Sequence, residues 1–344
     1  MKCLHIYGVS HNNAGDNLLG YASKWWLSHI IFSDSHNIHW ETKSIRDNFD
    51  INTIDYINSF DCLLIGGGGL FLPDTNPNNK SCWQWAIEID LLKKITIPIY
   101  VCAIGYNLFY KQSICMPNRN NSYIWKDRFN IFKNNVECLI NKSTLFTVRH
   151  HGDIHQLKKI IDKSLHSKLL FEYCPTIKYV QKLRNSLSIK GSNKNIWAYE
   201  IKDDRSWRRY YNIDREGFYY ELLLFMNYVK DNAPHIEQKI LLHESNNVSF
   251  YNFLSNKNLD IEIIDNSNQS PSKIIQNFTN INKLYCMAGH SQMIGTALKC
   301  DVISLITHDK LKYYLEDINN YRDETYIDVN KDRIYEKLVS ITKF

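Results

Sequence analysis

Residues 61–71 read Asp-Cys-Leu-Leu-Ile-Gly-Gly-Gly-Gly-Leu-Phe and give the clearest indication of the fold. A short apolar run that ends in glycine is typical of a buried β-strand. Four consecutive glycines lose much conformational freedom when the chain folds, so their presence needs a reason. Two reasons stay open: backbone amides that approach a phosphate or a sugar closely, or tight packing between a sheet and a helix.

Short apolar runs alternate with longer helical segments on both sides of this stretch, which is typical of parallel sheets covered on both faces. Residues 17–31 repeat apolar positions with a 3.6-residue period, which predicts a helix with Asp16 as its N-cap. Strands are predicted at Cys3–Val9, Ile38–Thr42, Asp61–Ile65, Ile97–Ile104 and Leu145–Val148, and again at Asn195–Tyr199, Lys239–His243, Asp260–Ile264, Lys283–Met287 and Val302–Leu305.

The polar and basic segment 181–194 is the candidate linker between two domains. We therefore predict an α/β protein with two Rossmann-like domains, residues 1–180 and residues 195–320. Residues 321–344 are expected to form a C-terminal helix that packs back on the N-terminal domain. The carboxyl ends of the strands should face a shared cleft, as in the GT-B glycosyltransferases.

Composition excludes several classes of protein. The chain has 344 residues, 44% of them hydrophobic and 22% charged, with a formal net charge of +5, which is ordinary globular composition. No basic and aromatic run indicates a nucleic-acid groove. Nine cysteines occur without a CxxC pair, which favours reduced, buried thiols. Without a leader-like apolar core or a membrane-spanning stretch, the expected location is the cytoplasm, with peripheral contact with the inner face of the membrane left open.

Asp16 and Asn17 lie in the first predicted strand-to-helix loop, next to Gly15, which allows a tight turn. A helix N-terminus offers unpaired N–H groups that favour anions. Asp16 is therefore either a plain N-cap or a general base beside a bound substrate.

Further polar residues follow later predicted strands. Asn107 follows a strand that ends in glycine, and Arg149 follows a short apolar strand, where a guanidinium could grip a carboxylate or a phosphate. A metal site at His150, His151 and His155 is disfavoured because no acid pair lies nearby.

His290 and Ser291 lie where a late strand passes into a helix, and Lys310 occupies the loop after the next strand. A neutral imidazole at such a junction can take or give a proton near pH 7. A purely structural histidine is the alternative. Lys310 could neutralise an anion.

The order of these motifs resembles the polysaccharide pyruvyl transferase family. The resemblance spans residues 12–310, and the motifs are Gly15-Asp16, the glycine run from 66, the strand end at Gly105, Val148-Arg149, Cys174-Pro175-Thr176, the His290 turn and Asp309-Lys310. It implies a GT-B-like fold. It also implies transfer of an enolpyruvyl-derived group from phosphoenolpyruvate, which forms a ketal across two hydroxyls of a sugar.

The chain departs from the family pattern at two positions. Ala288 stands where the family usually has an arginine, and His150 stands where it usually has an acid. A replacement could come from Arg205 in the segment 203–209, whose arginines are spaced to share one face of a helix. A solvated, charged helix is the alternative for this segment.

The predicted activity is pyruvyl transfer to a lipid-linked or nucleotide-activated precursor of a cell-surface polysaccharide, such as a capsule or exopolysaccharide. Asp16 and His290 would be catalytic, with Asp16 deprotonating the acceptor and His290 protonating the donor. Residues 1–180 would form the acceptor side and residues 195–320 the donor side. No cofactor or metal is expected, because cationic side chains and helix N-termini can hold the charge. The predicted substrate-binding residues are Asn17, Gly66, Gly67, Gly68, Gly69, Asn107, Arg149, Arg205, Ser291 and Lys310.

Two other functions stay open. One is a GT-B glycosyltransferase with a nucleotide-sugar donor, which the alanine at position 288 makes more credible. The other is a non-catalytic protein that binds a saccharide or assists assembly. The partner in each case is a saccharide and not a nucleic acid, and the oligomeric state is not predicted.

Overall fold

A computed structural model describes residues 1–9, 12–33, 37–73, 76, 78–109, 122–191 and 195–344, with the backbone alone at residues 122–126. The chain divides into two compact units. The first comprises Met1–Ser10 and Leu18–Pro175, and the second comprises His11–Asn17 and Thr176–Phe344. No helix among the described residues is long and apolar enough to cross a membrane.

The first unit contains a six-stranded parallel sheet with the strand order β2-β1-β3-β4-β5-β6. Its strands are β1 (Lys2–Tyr7), β2 (His39–Ser44), β3 (Cys62–Phe71), β4 (Ile99–Tyr106), β5 (Ser143–Val148) and β6 (Leu170–Phe171). Its helices are α1 (Ala14–Trp25), which begins in the second unit and continues as a π-helix over Trp26–Ile31, α2 (Ile51–Asn58), α3 (Ile89–Lys93), α4 (Ser122–Lys142) and α5 (His151–Lys158), with a 3₁₀-helix at Lys163–Lys168.

The second unit repeats the plan with the strand order β12-β11-β10-β7-β8-β9, again parallel throughout. Its strands are β7 (Ile196–Glu200), β8 (Glu237–Leu242), β9 (Glu262–Asp265), β10 (Lys283–Cys286), β11 (Asp301–Ile306) and β12 (Tyr326–Asp328). Its helices are α6 (Thr176–Ser186), α7 (Ser206–Arg209), α8 (Arg215–Asn232), α9 (Ser249–Asn256), α10 (Pro271–Thr279), α11 (Gly289–Ala297), α12 (Asp309–Asp317) and α13 (Ile334–Ile341), with a 3₁₀-helix at Asp323–Thr325.

These two parallel sheets confirm the predicted fold class. Central strands are buried on both faces, which explains their unbroken apolar sequence. In β3, Leu63 and Ile65 join one buried cluster, while Cys62 and Leu64 join another on the opposite face of the strand. The cleft predicted between the two domains stays a prediction.

The glycine run belongs to β3, whereas the sequence predicts that this strand ends at Ile65. Gly66 and Gly68 continue β3 and pair with Cys102 and Ile104 of β4, with a register shift just beyond Gly68. Both have positive φ angles, +98° and +85°, which only glycine adopts without strain. A side-chain carbon added at Gly67 would lie 2.8 Å from Leu19 Cδ1 on α1. Close packing of helix on sheet therefore accounts for these glycines.

The domain boundary also differs from the prediction. The candidate linker begins inside α6, and the units divide at residues 175 and 176. Val180 is fully buried, and Gln181 Nε2 donates to the carbonyl oxygen of Ala297, so the polar surface of α6 hides a packed face. Residues 192–194 of the predicted linker lie outside the described residues.

The C-terminal segment belongs to the second unit, whereas the sequence predicts that it packs back on the N-terminal domain. Ile334 and Leu338 of α13 are buried in the same core as Leu222 of α8. The ring of Phe344 stacks on Trp197 with centroids 6.0 Å apart. The apolar face of α13 is thus used within its own unit.

Candidate functional site

The candidate site of the second unit lies at the carboxyl edge of its sheet. The chain order of the strands reverses between β7 and β10, and ligands of open α/β sheets bind at such a point. The loops that follow β7, β8, β10 and β11 begin at this edge. Residues 12–17 belong to the same unit. Six polar or charged residues from these loops form the site: Asp16, Lys202, His243, Glu244, His290 and Lys310.

Asn13, rather than Asp16, caps α1, so the predicted N-cap is wrong. The Asn13 Oδ1 atom accepts hydrogen bonds from the backbone N–H groups of Gly15, at 2.9 Å, and Asp16, at 3.2 Å. The helix begins at Ala14, three residues before the predicted start. Asp16 therefore lies in the first turn, where a carboxylate also interacts favourably with the helix dipole.

Asp16 and His290 lie together, as expected for a pair that handles protons. The Asp16 Oδ1 atom is 3.9 Å from the Nδ1 atom of His290, with 29% and 12% of the side chains exposed. This is an ion-pair distance rather than a hydrogen bond, and such contacts often tighten when substrate binds. The second ring nitrogen, Nε2, is buried. The pair could therefore act as an acid or base.

Gly15 brings this pair together because it has no side chain. A carbon added at Gly15 would overlap the His290 ring and would lie 2.6 Å from His243 Nε2. His243 is buried at the end of β8, and burial lowers its pKa to about 3, with Lys202 acting in the same direction. His243 is therefore neutral at physiological pH and packs against Gly15 as an uncharged ring.

Glu244 connects the loop after β7 to the segment before α1. Its Oε2 atom lies 2.7 Å from Lys202 Nζ, and its Oε1 atom accepts a hydrogen bond from Asn13 Nδ2. The backbone N–H of Ala14 donates to the carbonyl of His243 at 3.0 Å. These contacts place Asn13, which caps α1, at the carboxyl ends of the strands of the second unit.

Three cations surround the loop after β11. His308 is buried, and its pKa is held well below the usual range by burial, then by Lys310, Arg209 and Arg205. Lys310 also packs along Gly289, where an added carbon would lie 3.4 Å from Lys310 Cδ and Cε. Three positive charges, partly offset by Asp204, thus lie beside the starts of α11 and α12.

In the segment 203–209, Arg209 is buried, whereas Arg205 is partly exposed. Arg209 donates from Nη1 to Thr307 Oγ1 at 2.7 Å and pairs with Asp204, which also binds Arg205 at 2.8 Å. Burial alone would raise the pKa of Asp204, but Arg209, Lys202 and Arg205 together hold it below its usual range. The solvated helix considered for this segment is wrong, because Arg208 is buried as well.

The start of α11 carries two buried polar groups. Glu200 accepts hydrogen bonds from the N–H groups of Met287, at 3.0 Å, and Ala288, at 2.8 Å, and burial raises the pKa of this carboxyl. The Ser291 hydroxyl is buried and has no hydrogen-bond partner among the described residues. The N-caps of α11 and α12 provide no side-chain hydrogen bond to these helices. Helix N-termini of this kind favour anions.

A second group of predicted residues lies in the first unit. Arg149 Nη2 donates to Asn107 Oδ1 at 3.2 Å, and its guanidinium packs on the backbone of Gly105. Only 2% of Arg149 is exposed, and its Nε atom has no partner within the described part of the chain. Asn107 in turn covers Gly69. Arg149, Asn107 and the glycine strand therefore form one local group.

The other predicted residues fall into the same two groups. Asn17 lies half-buried in the first turn of α1, while His150 is the buried N-cap of α5. No group of three or more metal-ligating side chains in the described ranges could hold a metal ion. Seven further residues of these groups are not among the predicted catalytic or substrate-binding residues: Asn13, Glu200, Lys202, Arg209, His243, Glu244 and His308. Five of the seven, all except Arg209 and His243, lie within four residues after a predicted strand.

No protein-family model and no curated protein matches this chain. Solved structures share its fold. The UDP-GlcNAc 2-epimerase from Methanocaldococcus jannaschii is 13% identical with a TM-score of 0.51, covering 99% of this chain and 91% of that chain. A glycosyltransferase from Rickettsia africae ESF-5 is 13% identical with a TM-score of 0.53, covering 99% and 87%. At such identities the likeness shows the fold alone, which is the GT-B-like pair of Rossmann-like domains.

Proposed function

We propose that this protein is a glycosyltransferase that uses a nucleoside-diphosphate sugar to decorate a cell-surface polysaccharide or its precursor. The observation that carries the proposal is the concentration of Arg205, Arg209 and Lys310 around the starts of α11 and α12. A diphosphate needs such charge, supplied by fixed cations and helix N-termini. The two fold relatives named above support it further, since both are sugar-acting proteins by name.

The proposed reaction uses Asp16 and His290 on the acceptor. His290 takes the proton of a sugar hydroxyl, and the Asp16 carboxylate stabilises the resulting imidazolium. The deprotonated oxygen bonds to the anomeric carbon of the donor, and the bond from that carbon to the diphosphate breaks. Lys310 and the arginines hold the departing nucleoside diphosphate, which keeps the bonding electrons.

Pyruvyl transfer from phosphoenolpyruvate is the second candidate, because the order of the motifs resembles that family. His290 would then protonate the methylene carbon of the donor while a sugar hydroxyl adds to the adjacent carbon. A second hydroxyl of the same sugar would displace phosphate and close the ketal. The cationic group would hold the phosphate and the carboxylate of this smaller donor.

Thermal unfolding with candidate donors tests the proposal, since a ligand that binds the folded state raises the melting temperature. UDP-, GDP- and ADP-sugars would be compared with phosphoenolpyruvate on wild type, Lys310→Met and Lys312→Met. Lys312 lies two residues further along α12, pairs with Glu316, and gives the matched loss of charge. We expect one nucleotide sugar to stabilise wild type and Lys312→Met, and to stabilise Lys310→Met much less.

Other outcomes separate the remaining functions. Stabilisation by phosphoenolpyruvate alone, followed by phosphate release in the presence of acceptor, would replace the nucleotide sugar with the second donor. Failure of every donor, with binding of a saccharide, would favour the non-catalytic function. A lipid-linked acceptor, and with it peripheral contact with the membrane, belongs to the same proposal and is tested by adding the acceptor in vesicles.

A further inference from the structure

We propose that Glu244 is a positioning residue that acts through Asn13 to hold Asp16 against His290. The role of Asp16 and His290 in turnover rests on the proposed function. The contacts that hold the two residues together do not depend on it. Glu244 itself touches neither member of the pair in the hydrogen bonds and ion pairs described above.

The connection is continuous from the end of β7 to the pair. Lys202 Nζ lies 2.7 Å from Glu244 Oε2, and the other carboxylate oxygen accepts from Asn13 Nδ2. Asn13 then uses its own Oδ1 atom to accept the N–H groups of Gly15 and Asp16. Both ends of the Asn13 amide are therefore engaged, one by Glu244 and one by the first turn of α1.

This arrangement restrains the backbone that carries Asp16. A cap whose side chain is held at one end can no longer rotate away from the N–H groups it accepts. Lys202 is nearly buried and forms an ion pair with Glu244, so the bond from Asn13 to this carboxylate is charge-assisted. A displacement of about 1 Å in a reacting group can lower the rate about a hundredfold. A contact that keeps Asp16 in place can therefore matter for catalysis.

Hydrogen–deuterium exchange tests the restraint without any assay of activity. The amides of Gly15 and Asp16 should exchange at least about tenfold faster in Glu244→Gln than in wild type. The reason is that Lys202 engages the one oxygen left on the new side chain, and the amide nitrogen introduced at position 244 cannot accept from Asn13. Glu262→Gln is the matched control, since Glu262 pairs with Lys239 on the same sheet at 2.8 Å. It should leave the exchange at residues 14–16 unchanged.

A paired substitution gives the rescue. In Asn13→Asp with Glu244→Gln, the donor and the acceptor exchange places. The glutamine amide at position 244 then donates to the new carboxylate at position 13, whose second oxygen still caps α1. We expect slow exchange at Gly15 and Asp16 to return. Should Glu244→Gln fail to fold, Asn13→Asp alone removes the donor to Glu244 but keeps an oxygen that caps α1, and it should show the same faster exchange.

Kinetics distinguish positioning from a structural role. With the donor identified above, Glu244→Gln should lower kcat by about ten- to a hundredfold with little change in donor affinity, and the paired substitution should restore it. Wild-type exchange at Gly15 and Asp16 in Glu244→Gln would overturn the proposal. Faster exchange with unchanged kcat would also overturn it, since the contact would then serve folding alone. If no donor is turned over, the proposed function fails while the exchange result still decides the restraint.

Discussion

At the scale of single residues, the site depends on the environment of each side chain rather than on its type. His243 and His290 flank the same glycine, yet one is fully enclosed and the other keeps 12% of its side chain exposed. The enclosed ring stays neutral, which leaves His290 as the histidine suited to proton transfer beside Asp16. Sequence alone presents both as a histidine at the end of a strand.

The role of His290 is open to a direct kinetic test. We expect His290→Ala to lower kcat by at least about a hundredfold with little change in donor affinity, because a positioned acid–base group contributes about 10²–10⁴-fold to rate. Steady-state kinetics beside a donor titration measure both quantities. His151→Ala, which removes an exposed histidine at the start of α5, serves as the control. Normal turnover by His290→Ala would show that this histidine is structural.

The burial of Arg149 leads to an unusual prediction about thermal stability. Within the described ranges, the buried guanidinium of Arg149 makes a single hydrogen bond, and its partner is a neutral amide. Burying a charge in this way lowers the free energy of unfolding unless an anion binds to it. We expect Arg149→Met to unfold at the same or a higher temperature than wild type without ligand, and to lose the stabilisation that phosphate or a carboxylate ligand gives. Differential scanning fluorimetry at constant ionic strength measures both effects.

The control for Arg149→Met is Arg333→Met, which removes an exposed arginine paired with Glu336. It should respond to anions as wild type does. A clear fall in the melting temperature of ligand-free Arg149→Met would mean that Arg149 is a structural residue. The prediction that Arg149 binds a carboxylate or a phosphate would then be abandoned.

At the scale of secondary-structure elements, the glycine strand is where the structure most changes the interpretation of the sequence. The run Gly66–Gly69 is part of β3, and two of its residues require positive φ. His5 on β1 donates from Nε2 to the carbonyl of Gly66 at 2.8 Å, because a carbonyl oxygen can only accept. Burial lowers the pKa of His5 to about 3, so the ring is neutral. The strand is held from both sides, by β1 and by α1.

We therefore expect Gly67→Val to destabilise the first unit, by about 1–3 kcal/mol, rather than to affect only ligand binding. The added carbons would meet Leu19 and the carbonyl of Cys102, an overpacking of the core. Denaturant unfolding measures the loss, and Gly8→Val is the control, because an added carbon there meets only the side chain of Gln84 at 3.9 Å. If Gly67→Val is as stable as wild type but no longer binds ligand, the glycines serve the close approach of backbone amides to a phosphate or a sugar.

At the scale of the whole molecule, buried neutral histidines should make the fold sensitive to acid. His5 in the first unit and His243 in the second each have a pKa of about 3, lowered chiefly by burial. Their unfolded pKa is about 6.5, so the unfolded chain binds more protons at intermediate pH. Each therefore contributes stability that is complete above about pH 6.5 and is lost as the pH falls towards 3.

The predicted slope is about 1.4 kcal/mol per pH unit for each histidine between roughly pH 6 and 4. Urea unfolding of wild type and His243→Gln from pH 7.5 to 4.5 measures it. We expect the variant to lose less stability on acidification in the second unit, while His39→Gln, which changes an exposed histidine, follows wild type. Parallel pH profiles for wild type and His243→Gln would contradict this account.

The alternation of apolar runs and helical segments was enough to predict ten of the strands and the fold class, because buried parallel strands need continuous apolar sequence. It also located Asp16, Arg149, His290 and Lys310 at strand or helix ends. Long-range contacts determined the rest. Asn13, which caps α1 in place of Asp16, contacts Glu244, 231 positions away, and the glycine run continues β3 by pairing with β4 while Leu19 packs on it. The local pattern of apolar and polar residues indicates which faces of an element are buried. Partners that are distant in sequence meet only when the chain folds.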